Sequence, residues 1–172
     1  INIYRFGIFI ASLFNAKAKK LYVGQKASFK ILANNVEKDA EYIWFHAASL
    51  GEFEQGRPVI EKIKESDPTS KILLTFFSPS GYEIRKNYPL ADVVCYLPLD
   101  TKSNVTQFFK LIKIKKAIFI KYEFWPNYLI QLKKKQTPFF SISSIFRENQ
   151  LFFRKYGSWY LNLLKLFTHI FV

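Results

Sequence analysis

Two carboxylates stand out for where they fall. Glu52 closes the stretch ASLGE, directly after the apolar run YIWFHA, and Glu123 opens EFWPN, directly after KAIFIKY. A carboxylate within hydrogen-bond reach of a hydroxyl can act as a general base. Each also has a simpler structural reading. An acid near a helix start is favoured by about 0.3–1 kcal/mol, and Glu123 has Lys121 and Arg147 as possible ion-pair partners. Residue type alone favours the structural reading, because ion-pair networks perturb carboxylates as readily as active sites do. The hydroxyl of Ser49, the open backbone of Gly51 and the second loop SPSG (Ser78, Ser80, Gly81) add groups suited to a phosphate or a sugar hydroxyl. Ser78 and Ser80 are also ordinary helix caps. ASLGE is neither a dinucleotide fingerprint nor a P-loop.

The elements that must position these residues alternate along the chain. Short aromatic and β-branched runs predict strands at residues 42–47, 71–77, 92–98, 116–122, 138–143 and from 169 onward. Between them lie helical stretches, at 52–66, 78–88, 101–113, 125–135 and 151–167, the last interrupted near Gly157. Pro79 and Pro126 fall at helix starts, where a missing N–H costs nothing. Strand–helix alternation at this spacing implies right-handed βαβ units. Continuous apolar strands imply a sheet covered on both faces. The expected fold class is therefore α/β, a Rossmann-like doubly wound parallel sheet. With strand order 3-2-1-4-5-6, the ligand crevice lies between the first and fourth strands. Glu52 and Glu123 would then face one cleft.

Composition limits the partners. Among 172 residues there are 26 Lys and Arg against 13 Asp and Glu, a net charge of +13. That excess favours a nucleic acid, an anionic membrane or a phosphorylated substrate, although a solvated lysine-rich surface accounts for it equally well. Apolar residues at 49% exclude a disordered chain. A single cysteine, Cys95, rules out an internal disulfide and fits a reducing compartment. His46 and His169 lack companions at ligand spacing, so no metal is expected.

The first 14 residues, INIYRFGIFIASLF, are mostly apolar and are followed by Lys17, Lys19, Lys20, Lys26 and Lys30. Spanning a bilayer takes about 20 apolar residues, so the pattern suits a helix lying on an anionic leaflet, the alternatives being a helix packed on the protein's own core and the remainder of a transmembrane helix. Residues 1–20 are expected to be this anchor helix and its basic flank, 21–41 a connector, and 42–172 the Rossmann-like domain. The chain opens without Met and stops within an apolar run, which reads as a piece of a longer protein.

ASLGE, SPSG and YEFWPN, in this order and spacing, give the chain a family likeness. It resembles the N-terminal domain of 3-deoxy-D-manno-octulosonic acid (Kdo) transferases, membrane-associated GT-B glycosyltransferases of lipopolysaccharide synthesis. The likeness covers essentially the whole chain. It implies transfer of Kdo from CMP-Kdo to the 6'-hydroxyl of lipid IVA, the lipid A precursor, with inversion and without a metal or other cofactor. It matches Glu52 to the family's general base and Glu123 to its second acid. It makes this chain the acceptor-binding half, with the CMP-Kdo site in a C-terminal domain lying outside it. Ser49, Gly51, Ser78, Ser80, Gly81 and Arg147 become acceptor-binding candidates. The partners implied are lipid IVA, CMP-Kdo and an anionic membrane surface, at the cytoplasmic face of the bacterial inner membrane, with no nucleic acid. Many relatives read Ser-Val-Gly-Glu where this chain has Leu50. Many carry an acid where this chain has Lys121. The competing expectations are a basic Rossmann-like module that binds nucleic acid, for which no helix-turn-helix or RNP pattern speaks, and a membrane-peripheral module without catalysis.

Overall fold

The computed structural model describes residues 2–147, 150 and 157–172. Among them, six parallel strands form one sheet in the order β3-β2-β1-β4-β5-β6. The strands are β1 (Glu41–Ala47), β2 (Lys71–Phe76), β3 (Val93–Tyr96), β4 (Lys113–Ile120), β5 (Phe139–Ile142) and β6 (His169–Ile170). The expected strand order is thus the observed one, and its reversal point lies between β1 and β4.

The helices are α1 (Asn2–Phe14), α2 (Ala16–Asn35), α3 (Leu50–Ser66), α4 (Pro79–Arg85), α5 (Lys102–Leu111), α6 (Pro126–Lys134) and α7 (Ser158–Leu164). Strand periodicity sorts the central strand between two cores. Tyr42 and Trp44 join the cluster that holds Phe108, Phe119, Tyr128 and Leu132, beneath α2, α5 and α6. Ile43, Phe45 and Ala47 join Phe53, Ile60 and Phe76, beneath α3 and α4. Both faces of β1 are therefore dry, which is why its sequence is apolar without alternation.

Two stretches depart from the sequence reading. Residues 21–41 were expected to be a connector, yet α2 runs unbroken from Ala16 to Asn35. Its Leu32 is fully buried in the core, and buried Gln25 donates to Leu97 O at 3.4 Å. The helix escapes notice in the sequence because five lysines mask its narrow buried stripe. Strand β4 also starts earlier than expected, at Lys113, because its outer half is only partly covered. Of the helical stretch expected at 151–167, the part before Gly157 lies outside the described residues, and α7 follows it.

Asn15 separates α1 from α2 in an extended conformation, and its side chain accepts from the N–H groups of Lys17 and Ala18. The two helices fold back on each other. Phe9 and Tyr22 have ring centroids 5.6 Å apart, whereas thirteen residues of straight helix span about 20 Å. Phe9, Ile10, Leu13 and Phe14 nevertheless remain exposed. Among the described residues, no helix is long and apolar enough to cross a membrane.

Candidate active site

The crevice at the carboxyl ends of β1 and β4 gathers Glu52, Glu123, His46 and Trp125. Glu52 sits in the first turn of α3, whose N-cap is Ser49. Ser-x-x-Glu is the signature of a capping box, but neither of its two bonds forms, because Glu52 reaches past the N-cap residue to the one before it. Ser49 makes no side-chain cap, while Glu52 Oε2 accepts the N–H of Ala48 at 2.6 Å. Glu52 is thus bonded to the helix entrance by one oxygen and half-buried.

Burial lifts the Glu52 carboxyl above its ordinary value of 4.5, and the Ala48 hydrogen bond opposes that rise. The negative charge of Glu123 lifts it further, while His46 and Lys121 pull it down. The strand order sets the loops that carry Glu52 and Glu123 at the same end of the neighbouring strands β1 and β4. Glu123 does not pair with Lys121 or Arg147 as the structural reading would have it. Its Oε2 lies 3.1 Å from Nε2 of His46 and accepts Nε1–H of Trp125 at 2.8 Å.

His46 occupies the last turn-facing position on the α5–α6 side of β1 and is fully buried. Its Nδ1 lies 2.8 Å from Thr75 Oγ1 and 3.1 Å from Thr75 O on the adjoining strand. Trp44 Nε1–H donates to the same Thr75 hydroxyl at 2.7 Å. A buried polar chain therefore runs from Trp44 through Thr75 and His46 to Glu123 and Trp125, with every member partnered. Trp125 is the N-cap of α6 but has no acceptor with which to cap it. Asp100, buried in the loop after β3, caps the helix instead, accepting from the N–H groups of Asn127 at 3.1 Å and Tyr128 at 3.2 Å. With α6 capped from elsewhere, the Trp125 indole is free to reach across to Glu123.

The remaining predicted residues separate into distinct positions. Gly51 is exposed, and a Cβ built on it would touch nothing within 4 Å. No packing contact of the chain itself calls for a glycine there. Ser78 caps α4 by accepting Ser80 N–H, and the two serine hydroxyls lie 3.0 Å apart. Ser78 N–H donates to Ala48 O at 2.7 Å, which ties this loop to the ASLGE loop. Gly81 is buried, and a Cβ on it would fall 2.3 Å from the ring of Phe76. Its missing side chain lets α4 seat on β2. Arg147 is exposed on the loop after β5. That loop is held by the Tyr122 hydroxyl, which donates to Ile145 O and accepts Ile145 N–H.

Lys121 takes a left-handed conformation, φ 62°. The hydroxyls of buried Ser141 and Ser144 lie 3.0 and 3.1 Å from its carbonyl oxygen. Non-glycine residues at positive φ persist where the surroundings enforce them, and they cluster at functional sites.

His46, Thr75, Trp125 and Asp100 belong to the site but were not picked out in the sequence. One signal for His46 was available: it stands at the carboxyl end of the same strand that delivers Glu52, so the topology that places Glu52 places it too. Asp100 offered none, because its partners lie on a different βα unit.

Comparison with known proteins identifies the family. Residues 21–172 match the family of 3-deoxy-D-manno-octulosonic-acid transferases (kdotransferases). A 3-deoxy-D-manno-octulosonic acid transferase of Aquifex aeolicus is 37% identical over 92 residues, 53% of this chain and 25% of that protein. One from Haemophilus influenzae is 34% identical over 99 residues, 56% of this chain and 23% of that protein. A bifunctional glycosyltransferase/methyltransferase of Fusobacterium nucleatum is 31% identical over 103 residues, 58% of this chain and 16% of that protein. The match thus spans about a quarter or less of these relatives' lengths. The family match, residues 21–172, runs from within α2 to the last residue and takes in the whole sheet, and the chain belongs to the Kdo transferase family.

Proposed function

We propose that this chain is the acceptor-binding half of a GT-B glycosyltransferase of lipopolysaccharide synthesis, which transfers Kdo from CMP-Kdo to lipid IVA with inversion. The carrying observation is Glu52: a half-buried carboxylate at the sheet crevice, lifted in basicity and bound by one oxygen to its own helix entrance. A sugar hydroxyl is a weak nucleophile and must lose its proton as the new bond forms. In this reading, Glu52 takes the proton of the 6'-hydroxyl. The hydroxyl oxygen bonds to the anomeric carbon of Kdo from the face opposite CMP, and the bond to the CMP phosphate oxygen breaks with its electron pair. Inversion follows from a single displacement.

The bare surface at Gly51 leaves room for the acceptor to approach the backbone beside Glu52. Ser49, Ser78, Ser80, Gly81 and Arg147 are the surrounding candidates for acceptor contacts, and Glu123 forms the opposite wall. CMP-Kdo is assigned to a second domain of the enzyme, with no metal or other cofactor. The exposed apolar face of α1 and the lysines of α2 support attachment to the anionic cytoplasmic face of the inner membrane, where lipid IVA would be met.

The test is Glu52→Gln in the full-length enzyme, assayed with CMP-Kdo and lipid IVA. Loss of transfer by a factor of about 100 or more is expected, with the far-UV and near-UV spectra unchanged. Near-normal turnover would remove Glu52 from the role of base. Salt-sensitive binding of nucleic acid, with no transfer by the wild-type enzyme, would replace the whole reading.

A further inference from the structure

The buried chain behind Glu123 has a geometry that restricts where its protons can lie. Nδ1 of His46 is 3.1 Å from the carbonyl oxygen of Thr75. A carbonyl only accepts, so a hydrogen bond there requires hydrogen on Nδ1. The Thr75 hydroxyl is consistent with this: it receives Trp44 Nε1–H at 2.7 Å and donates to Phe45 O at 3.3 Å. On the other side of the ring, Nε2 lies 3.1 Å from Glu123 Oε2. Trp125 Nε1 lies 2.8 Å from that oxygen and 3.0 Å from Nε2. The indole has one hydrogen, and the nearer acceptor is the carboxylate. Without a further proton, two lone pairs would then face each other in a buried site, where an unmade hydrogen bond is costly.

We propose that His46 is a positioning residue that shares this proton with Glu123, so that the acid facing Glu52 is held fixed in orientation and balanced in charge. The proposal rests on the reading of Glu52 as base. Among the described residues, Glu123 is the ionisable side chain in hydrogen-bond contact with His46. The groups around that ring from β1, β2, β4 and the α6 entrance are Trp44, Thr75, Phe119 and Trp125, none of them charged. The charges of Glu123, His46 and Lys121 act on Glu52, the first raising and the other two lowering its proton affinity. Were the imidazole's proton absent, Glu123 would present an unbalanced negative charge to Glu52. That charge would favour protonated Glu52, which cannot accept the hydroxyl proton. The chain from Trp44 to His46 thus serves to keep the opposing acid from disabling the base.

Two measurements on the full-length enzyme test this. With ¹⁵N-labelled histidine, long-range ¹H–¹⁵N spectra near neutral pH should show both ring nitrogens of His46 protonated, the resonance being identified by its loss in His46→Gln. Glu123→Gln should return the ring to a neutral form. A neutral His46 with one bare nitrogen in the wild type would overturn the proposal, whether or not any substituted variant folds. In kinetics, His46→Gln should move the acid limb of kcat/KM upward by about one pH unit, the displacement expected when one neighbouring charge is removed. The double variant His46→Gln/Glu123→Gln, again balanced, should bring the limb back towards its original position at whatever amplitude remains. An unmoved limb in the single variant, or one that stays displaced in the double, would also overturn it. Absence of any Kdo transfer by the wild type strikes the catalytic reading instead and leaves the nitrogen spectra to decide the role of His46.

Discussion

A carboxylate that takes a proton from a sugar must be ionised before the reaction and still basic enough to act. In the role proposed for it, Glu52 would meet these demands through opposed influences. Burial and the charge of Glu123 raise its proton affinity, while the Ala48 N–H, His46 and Lys121 lower it. The net displacement is upward from 4.5. With Glu52 as the proposed base, catalysis would be complete above its folded-state pKa and fade as pH falls through it, so the acid limb of kcat/KM is expected above 4.5. A limb centred below 4.5 would show that another group carries the proton. The same shift has a stability consequence of fixed sign. The folded protein holds this proton more tightly than the unfolded chain does, so the residue's contribution grows as pH falls and is unfavourable once the group is ionised. Glu52→Gln, which keeps an oxygen for the Ala48 N–H, should accordingly melt no lower than wild type at neutral pH, measured by calorimetry. Function and stability pull in opposite directions at this residue.

At the scale of elements, the site depends on caps borrowed across the sheet. Asp100 closes the start of α6, so that Trp125 can turn to Glu123. Its own burial pushes its carboxyl upward, against the lowering by the Asn127 and Tyr128 hydrogen bonds. Asp100→Ala should lower stability by about 1–2 kcal/mol in urea unfolding, and should slow transfer as well, because the α6 entrance carries Trp125. A variant that loses stability with full turnover would separate α6 capping from the site. The contrast between Glu52 and Asp100 shows what a sequence discloses. Glu52 was legible because strand, loop and helix follow one another locally, and because topology places every such loop at one end of the sheet. The pairing of Glu123 with His46, and of Asp100 with α6, is set by which βα units become neighbours, and such partners carry no local pattern. Helix α2 was missed for a different reason: its buried face is narrow, Gln25 and Ser28 are among its buried residues, and its lysines swamp the periodicity.

At the scale of the whole molecule, the α1–α2 hairpin presents apolar side chains that the fold leaves uncovered. Leu13 is 63% and Phe14 87% exposed. With the α2 lysines beside them, these groups suit insertion into the headgroup region of an anionic bilayer. Replacing Leu13 and Phe14 together with Ser should weaken co-sedimentation of the full-length protein with vesicles containing anionic lipid by at least severalfold. Equal retention by both proteins would assign membrane contact to another surface. The sheet order carries one more consequence, for assembly in time. β1 pairs with β2, which follows it closely, but its other neighbour is β4, whose Ala117 lies beside Trp44. A ribosome releases β1 and Glu52 well before β4 and Glu123 exist, so during synthesis β1 waits with one edge unpaired. Parallel pairing across so long a loop is slow to close. The crevice between β1 and β4 is then among the last features to form, and the interval before it closes is when the nascent chain is most exposed to misassociation.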